Sequence, residues 1–233
     1  MMIEREVMFT SLVGFYNYGF LLDNDEVNYY HAYVLPELED FYDSYPYLNL
    51  TMINKRTCQC YDIRYFVGRL LSGDYKHIEC LFSDNIDLVA DFKGINFLFT
   101  HKDEIAKMNL KGLYEYLDEQ ITEHLLLMEN HQLHDGYRAS LTYHLMCFAE
   151  DFFVNDFSDF KKALMRKNWE KKIMLDIYNK KHTNDETLHI LQEFYNERFK
   201  ELQYYYESAH EDNKQLAEEI KYEVFKTIYK FVK

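Results

Sequence analysis

The sequence predicts an α+β fold, a small mixed β-sheet with flanking helices followed by a C-terminal helical bundle. Three observations predict it. Between residues 7 and 60 apolar residues recur in short runs with strand-forming composition. From Asp62 the apolar period becomes helical. Beyond Gly94 the chain reads as a series of long amphipathic segments, and only 7 Gly and 2 Pro punctuate all 233 residues.

The elements follow in chain order. Val7 to Val13 ("VMFTSLV") is apolar and rich in strand formers, Glu26 to Val34 ("EVNYYHAYV") alternates, and Tyr47 to Cys60 holds further short alternating pieces, which together make a sheet. "DIRYFVGRLLSG" then places apolar residues at helical spacing with Gly73 at its stop, and "KHIECLFS" continues in the same way, so helices are expected over Tyr61–Gly73 and Tyr75–Phe82. Helices are further expected over Asn109–His131, Tyr137–Phe153, Asp159–Tyr178, Asp185–Ala209 and Asn213–Val232. The expected organisation is an α/β module over 1–92, a connection over 93–108 and a helical domain over 109–233.

Composition excludes several classes. With 48% hydrophobic and 18% aromatic residues the chain has ample core material, so disorder for want of it is excluded. No apolar run approaches the roughly 18 residues that span a bilayer, and the N-terminus lacks a signal-peptide layout, so no membrane partner and a cytoplasmic location are expected. Cys58, Cys60, Cys80 and Cys147 form no CxxC and no His/Cys ladder, which argues against structural zinc and disulfides. The 26 basic and 40 acidic residues leave a net charge of −14. Such a surface repels phosphate backbones, so broad nucleic-acid binding is disfavoured and a protein partner with a basic surface is expected.

One stretch carries a more specific signal. Leu12 to Val34 reads "LVGFYNYGFLLDNDEVNYYHAYV". It resembles a predicted nucleotidyltransferase family of the DNA polymerase β superfamily, of the type associated with RNA repair. That family has Gly-Ser, Tyr-Gly, Ser-Asp-x-Asp and a strand ending near Val-Tyr-Val in one run. The frame stands here as Gly14-Phe15, Tyr18-Gly19, Asp25-Glu26-Val27-Asn28 and Ala32-Tyr33-Val34. "YDIRYFVGRLLSGDYKHIECLF", Tyr61 to Phe82, is similar to the family's helix pair, with Tyr61, Arg64, Phe66, Gly73, Glu79 and Leu81 in register and Asp74-Tyr75 in place of Asn-Pro. Looser similarity extends through the helical half.

The resemblance implies a site whose chemistry has been removed. The family's Gly-Ser turn binds a nucleotide phosphate, and two aspartates on the next strand, joined by a third carboxylate on a neighbouring strand, hold two divalent metals. Here the Ser is Phe15, the aspartate pair is Glu26 and Asn28, and the third position is Thr57. A neutral amide offsets no metal charge, and an aromatic ring donates nothing to phosphate. The resemblance therefore implies a pseudoenzyme that needs no cofactor and works as a binding module, contacting a protein or holding a nucleotide at Gly14, Phe15, Tyr16, Tyr18, Gly19 and Arg64. The Tyr- and Lys-rich, Gly- and Pro-poor composition suggests a low-GC bacterial or phage source, where such modules serve as inhibitors of host systems. The alternative is an active transferase using Mg²⁺ at a rearranged site of Asp23, Asp25 and Glu26.

Other features have plain structural readings beside functional ones. Phe15, Tyr16, Tyr18, Phe20, Tyr29, Tyr30 and Tyr33 suit either a base-stacking pocket or ordinary sheet packing. His124, His131 and His134 are spaced too far apart on one helix for a shared ion and are expected on its surface. His144 suits packing as well as function. Lys161, Lys162, Arg166, Lys167, Lys171 and Lys172 around Trp169 form a basic patch that faces either an anionic partner or solvent.

Overall fold

A computed structural model describes residues 6–20, 28–36, 47–53, 56–88, 92–130, 135–211 and 213–231; for 47–53 and Arg56 only the backbone is described. The fold is mixed: a sheet with flanking helices, then a helical region. The strands are β1 (Val7–Gly14), β2 (Asn28–Val34), β3 (Tyr47–Ile53), β4 (Arg56–Asp62) and a short β5 (Ile86–Leu88). They run in the order β3-β4-β2-β1-β5. β2 and β4 are parallel, and the other ladders are antiparallel.

Register settles which side chains share a face. Phe9 pairs with Tyr33, Ser11 with His31 and Tyr33 with Tyr61, so these residues and their alternates point to one side. There they meet α1 (Ile63–Leu71) and α2 (Tyr75–Phe82): Phe66 lies 4.1 Å from Tyr33 and 5.4 Å from Phe9 between ring centroids. The other face gathers Ala32, Cys58 and Cys60, with Tyr30 packed against them. β1 is buried on both faces: its run is apolar apart from Thr10 and Ser11, and the Ser11 hydroxyl donates to Cys80 O at 2.9 Å.

The first two helices form where the sequence expects them. Asp62 caps α1 by accepting from the Arg64 amide, and Asp74 caps α2 through His77. Between them Gly73 takes a φ of 81°, its N–H reaching Leu70 O while that of Asp74 reaches Arg69 O, a Schellman closure that needs a residue tolerant of positive φ.

By its contacts the chain forms two units: unit 1 holds Met1–Asn17, Leu21–Asn109 and Asp212–Lys233, and unit 2 holds Tyr18–Phe20 and Leu110–Glu211. This differs from a linear partition near residues 92–108. That interval forms two helices of unit 1, α3 (Lys93–Thr100) and α4 (Lys102–Met108), and the last helix, α11 (Lys214–Phe231), also belongs to unit 1. α11 approaches α3 closely because Gly94 has no side chain: a Cβ there would lie 2.6 Å from Glu223 O.

Unit 2 is helical: α5 (Leu110–Glu129), α6 (Gly136–Val154), α7 (Phe160–Leu164), α8 (Asn168–Tyr178), α9 (Asn184–Phe194), a π-helical turn Tyr195–Phe199 and α10 (Leu202–Ser208). α6 is its central helix, buried without interruption from Thr142 to Ala149. Two expected helices are divided. Asp159–Tyr178 breaks at extended Met165 and Lys167, where the Lys167 N–H turns to Glu170 Oε2 at 2.8 Å and starts α8 afresh. Asp185–Ala209 is interrupted by the π turn.

Candidate functional site

The turn after β1 is the place to test for phosphate binding. Gly14 has a φ of 106° and pairs with Asn28 across the β1–β2 ladder, and the Asn17 N–H closes the turn on Gly14 O at 2.9 Å. Such turns bind anions when their amides point outward unpaired. Here the amides have internal acceptors. Gly14 N–H donates to Glu79 Oε1 at 3.0 Å, Asn17 Nδ2 donates to the same oxygen at 2.8 Å and to Leu12 O at 3.0 Å, and Tyr16 N–H donates to Asn28 Oδ1 at 2.7 Å. The buried carboxylate of Glu79, brought in by α2, stands where an anion would sit. Phe15 is fully buried and belongs to the core, while the Tyr16 ring is exposed.

The expected metal positions divide. Gly14 and Asn28 are adjacent, and carrying the β2–β4 register back from the Tyr30–Cys58 pair sets Arg56 level with Asn28. Strand alternation then puts Thr57 with His31, Gln59 and Tyr61 on the helix-covered face, opposite the face of Asn28. Thr57, which the resemblance puts at a third ligand position, therefore does not share the face of Asn28, where Cys58 lies. Asp23, Asp25 and Glu26 lie outside the described residues. Arg64 follows the far end of β4, roughly 20 Å from Arg56 by strand rise, and its guanidinium chelates Asp62 at 2.6 to 3.1 Å. It takes no part in a site at the Gly14 turn.

Tyr18 and Gly19 are likewise committed elsewhere. With Phe20 they belong to unit 2, where the Tyr18 ring stacks on His144 at 3.5 Å between centroids, Tyr18 O accepts from the Arg166 N–H at 3.1 Å and Gly19 O from Lys171 Nζ at 2.8 Å. Burial, and then the Arg166 charge, hold the His144 imidazole well below its usual pKa, so it packs as a neutral ring. Gly19, with φ 85°, cannot carry a Cβ without meeting Lys171 Nζ at 2.7 Å.

Four residues of the basic patch around Trp169, Lys162, Arg166, Lys167 and Lys171, have internal partners. The Arg166 side chain is buried, 3.2 Å from Asp151 and 3.6 Å from Glu170; Lys167 bonds Asp151 at 2.8 Å and Lys162 bonds Asn155 at 3.0 Å. An anionic partner would have to displace these contacts. His124, expected on the surface, is buried and its Nδ1 lies 2.8 Å from Thr142 Oγ1; His131 and His134 lie outside the described residues.

One polar cluster has no counterpart in the sequence reading. Under α2, the Tyr33 hydroxyl lies 3.2 Å from both His31 Nδ1 and Cys80 Sγ, and Cys80 Sγ is 3.5 Å from His31 Nδ1. A Cys–His pair suggests a nucleophile and its base. Burial, followed by the His77 and Lys76 charges, lowers the His31 pKa to about 3, and burial raises the Cys80 thiol far above its usual range. Both groups are neutral and shielded, which suits packing and not attack. The alternation of β2 marks His31 as inward or outward; only the fold brings Cys80, 49 residues away, to it.

Among the described residues, no group of three or more His, Cys, Asp and Glu side chains is arranged to hold a metal ion, and no helix is long and apolar enough to cross a membrane. No family model, curated protein or solved structure matches the chain.

Proposed function

We propose that the protein is a binding module on a nucleotidyltransferase-like scaffold without transferase chemistry, and that it engages a partner protein with a basic surface as an inhibitor or regulator. One observation carries the first half: the Glu79 carboxylate accepts from Gly14 N–H and Asn17 Nδ2, so the turn that would cradle a phosphate is already occupied from within. A triphosphate entering there would meet a buried negative charge, and like charges at such separation repel strongly in a poorly screened site. The net charge of −14 supports the second half, since long-range attraction favours encounter with basic surfaces.

Two measurements test it. Incubation of the purified protein with labelled nucleoside triphosphates, Mg²⁺ or Mn²⁺, and RNA or protein acceptors should yield no incorporation. Robust labelling that disappears in Asp25→Ala or Glu26→Ala would overturn the proposal in favour of a transferase. Capture of a partner from the native host should weaken as the Debye length shrinks from about 30 Å at 0.01 M to about 8 Å at 0.15 M salt.

A further inference from the structure

The α3–α11 pair of unit 1 leaves a groove of about 440 Å³ lined by Phe97, Gln215, Glu218, Glu219, Tyr222 and Glu223. α11 turns Leu216, Ile220, Val224 and Ile228 inward. Its outer side, instead of being wholly polar, carries Tyr222, Phe225 and Tyr229, which are 63%, 47% and 90% exposed. Their i, i+3, i+7 spacing makes one stripe about 10 Å long. Contiguous exposed apolar surface of this kind marks an interaction site.

The charges beside the stripe select the partner. Three carboxylates and two aromatic rings in one groove suit a cation that also stacks. The fold supplies an instance of this preference: Lys226 Nζ lies 5.0 Å from the centroid of the Tyr222 ring. The neighbouring ion pairs are exposed, Glu218 with Lys221 at 2.8 Å and Glu223 with Lys226 at 3.4 Å, and pairs of this kind contribute little and exchange readily. Glu219 accepts the Gln215 amide at 2.9 Å. A guanidinium is flat enough to stack on tyrosine and forked enough to bridge carboxylates, which an ammonium cannot match.

We propose that this groove docks an arginine-bearing basic segment of a partner protein, with a guanidinium on Tyr222 paired to Glu219 and Glu223 and with apolar residues of the same segment covering Phe225 and Tyr229. The inference rests on the reading of the protein as an acidic binding module and names the surface that does the binding.

The test is fluorescence anisotropy at about 0.15 M ionic strength, using a short labelled peptide of Arg and Leu beside its counterpart with Glu for Arg. The Arg peptide should bind the intact protein and the Glu peptide should not. Tyr222→Ala and Glu219→Lys, both at exposed positions, should each weaken binding about tenfold. The charge-matched control Glu193→Lys, on α9 of unit 2, should weaken it less than about threefold. Equal losses from the two Glu→Lys changes, with Tyr222→Ala silent, would overturn the groove and leave the acidic module standing. No binding of the Arg peptide to the wild type would overturn both. A dimer in sedimentation equilibrium that Tyr222→Ala dissociates, with no peptide bound, would assign the stripe to a second copy and overturn the proposal.

Discussion

At the scale of single residues, Glu79 has the largest structural consequence of any side chain at the turn. It is buried and accepts two hydrogen bonds, so Glu79→Ala should leave the Gly14 and Asn17 donors unpaired and cost about 2–4 kcal/mol, while Glu79→Gln, which keeps one carbonyl acceptor, should cost about half as much; urea denaturation measures both. His31 makes a pH-dependent prediction. The unfolded chain takes up a proton on this side chain near pH 6.5, whereas burial delays uptake in the folded state to about 3. Between these values the unfolded state binds more protons, so stability falls as pH drops through that window, by up to about 1.4 kcal/mol per unit for one such group. His144, lowered by burial and Arg166, acts in the same direction. Asp74 also feels burial, which alone would raise its pKa, but His77 and Arg69 outweigh it and hold the carboxyl below its usual value. Its contribution is lost only as the pH falls below about 4. Denaturation between about pH 4.5 and 6 therefore isolates the histidines, and His31→Gln should make the dependence shallower by roughly one proton's worth. That Phe15 and Asn28 are poorly suited to phosphate and metal is legible in the sequence, because residue type alone decides what a side chain can donate or ligate. The pairing of the turn amides is not legible there: Glu79 is 65 residues from Gly14, and the face that Thr57 takes depends on a strand register that spacing alone leaves open by one residue.

At the scale of elements, the first strands and the long helices are legible in the sequence, whereas the short elements α3, α4 and β5 and the packing are not. Helical period, with Gly73 as a stop, predicts α1, α2, α5, α6 and α11 within a few residues of their observed ends, because those signals are local. The break between α7 and α8 leaves no local signal, because there the Arg166 N–H bonds Tyr18 O, a partner distant in the chain. α3 and α4 are hard to tell from a connection in the sequence because short helices give few turns of periodicity. The α3–α11 crossing yields a direct prediction. The Gly94 N–H donates to Thr227 Oγ1 at 2.9 Å, and a Cβ on Gly94 would lie 2.7 Å from that oxygen and 2.9 Å from Val224 Cα. Gly94→Ala should therefore push the helices apart and cost about 1–3 kcal/mol despite the better helix propensity of alanine. Thermal denaturation checks the cost, and faster amide exchange confined to α3 and α11 checks its location. A stabilising effect would mean that the two helices do not meet at this residue.

At the scale of the whole molecule, the order of segments along the chain and their assignment to units disagree, and this disagreement is itself testable. Unit 1 takes its last helix from the far end of the sequence, so a fragment ending at Asn109 retains the sheet and α1 to α4 but lacks α11. The inward face of α11, Leu216, Ile220, Val224 and Ile228, would then leave Gly94, Ile95 and Leu98 of α3 without cover. Losing four buried aliphatic side chains at about 1.5–3 kcal/mol each removes as much free energy as a small domain has in reserve. The fragment 1–109 should accordingly show secondary structure without fixed tertiary packing, reported by dye binding to exposed apolar surface and loss of the near-ultraviolet signal. The same fragment joined through a flexible Gly/Ser linker to residues 212–233 should recover a cooperative unfolding transition, because it restores the missing helix without unit 2. A cooperative transition in fragment 1–109 alone would show that α11 is an appendage. The groove beside Tyr222 would then rest on a helix free to leave, and a basic segment would have to order α11 as it bound.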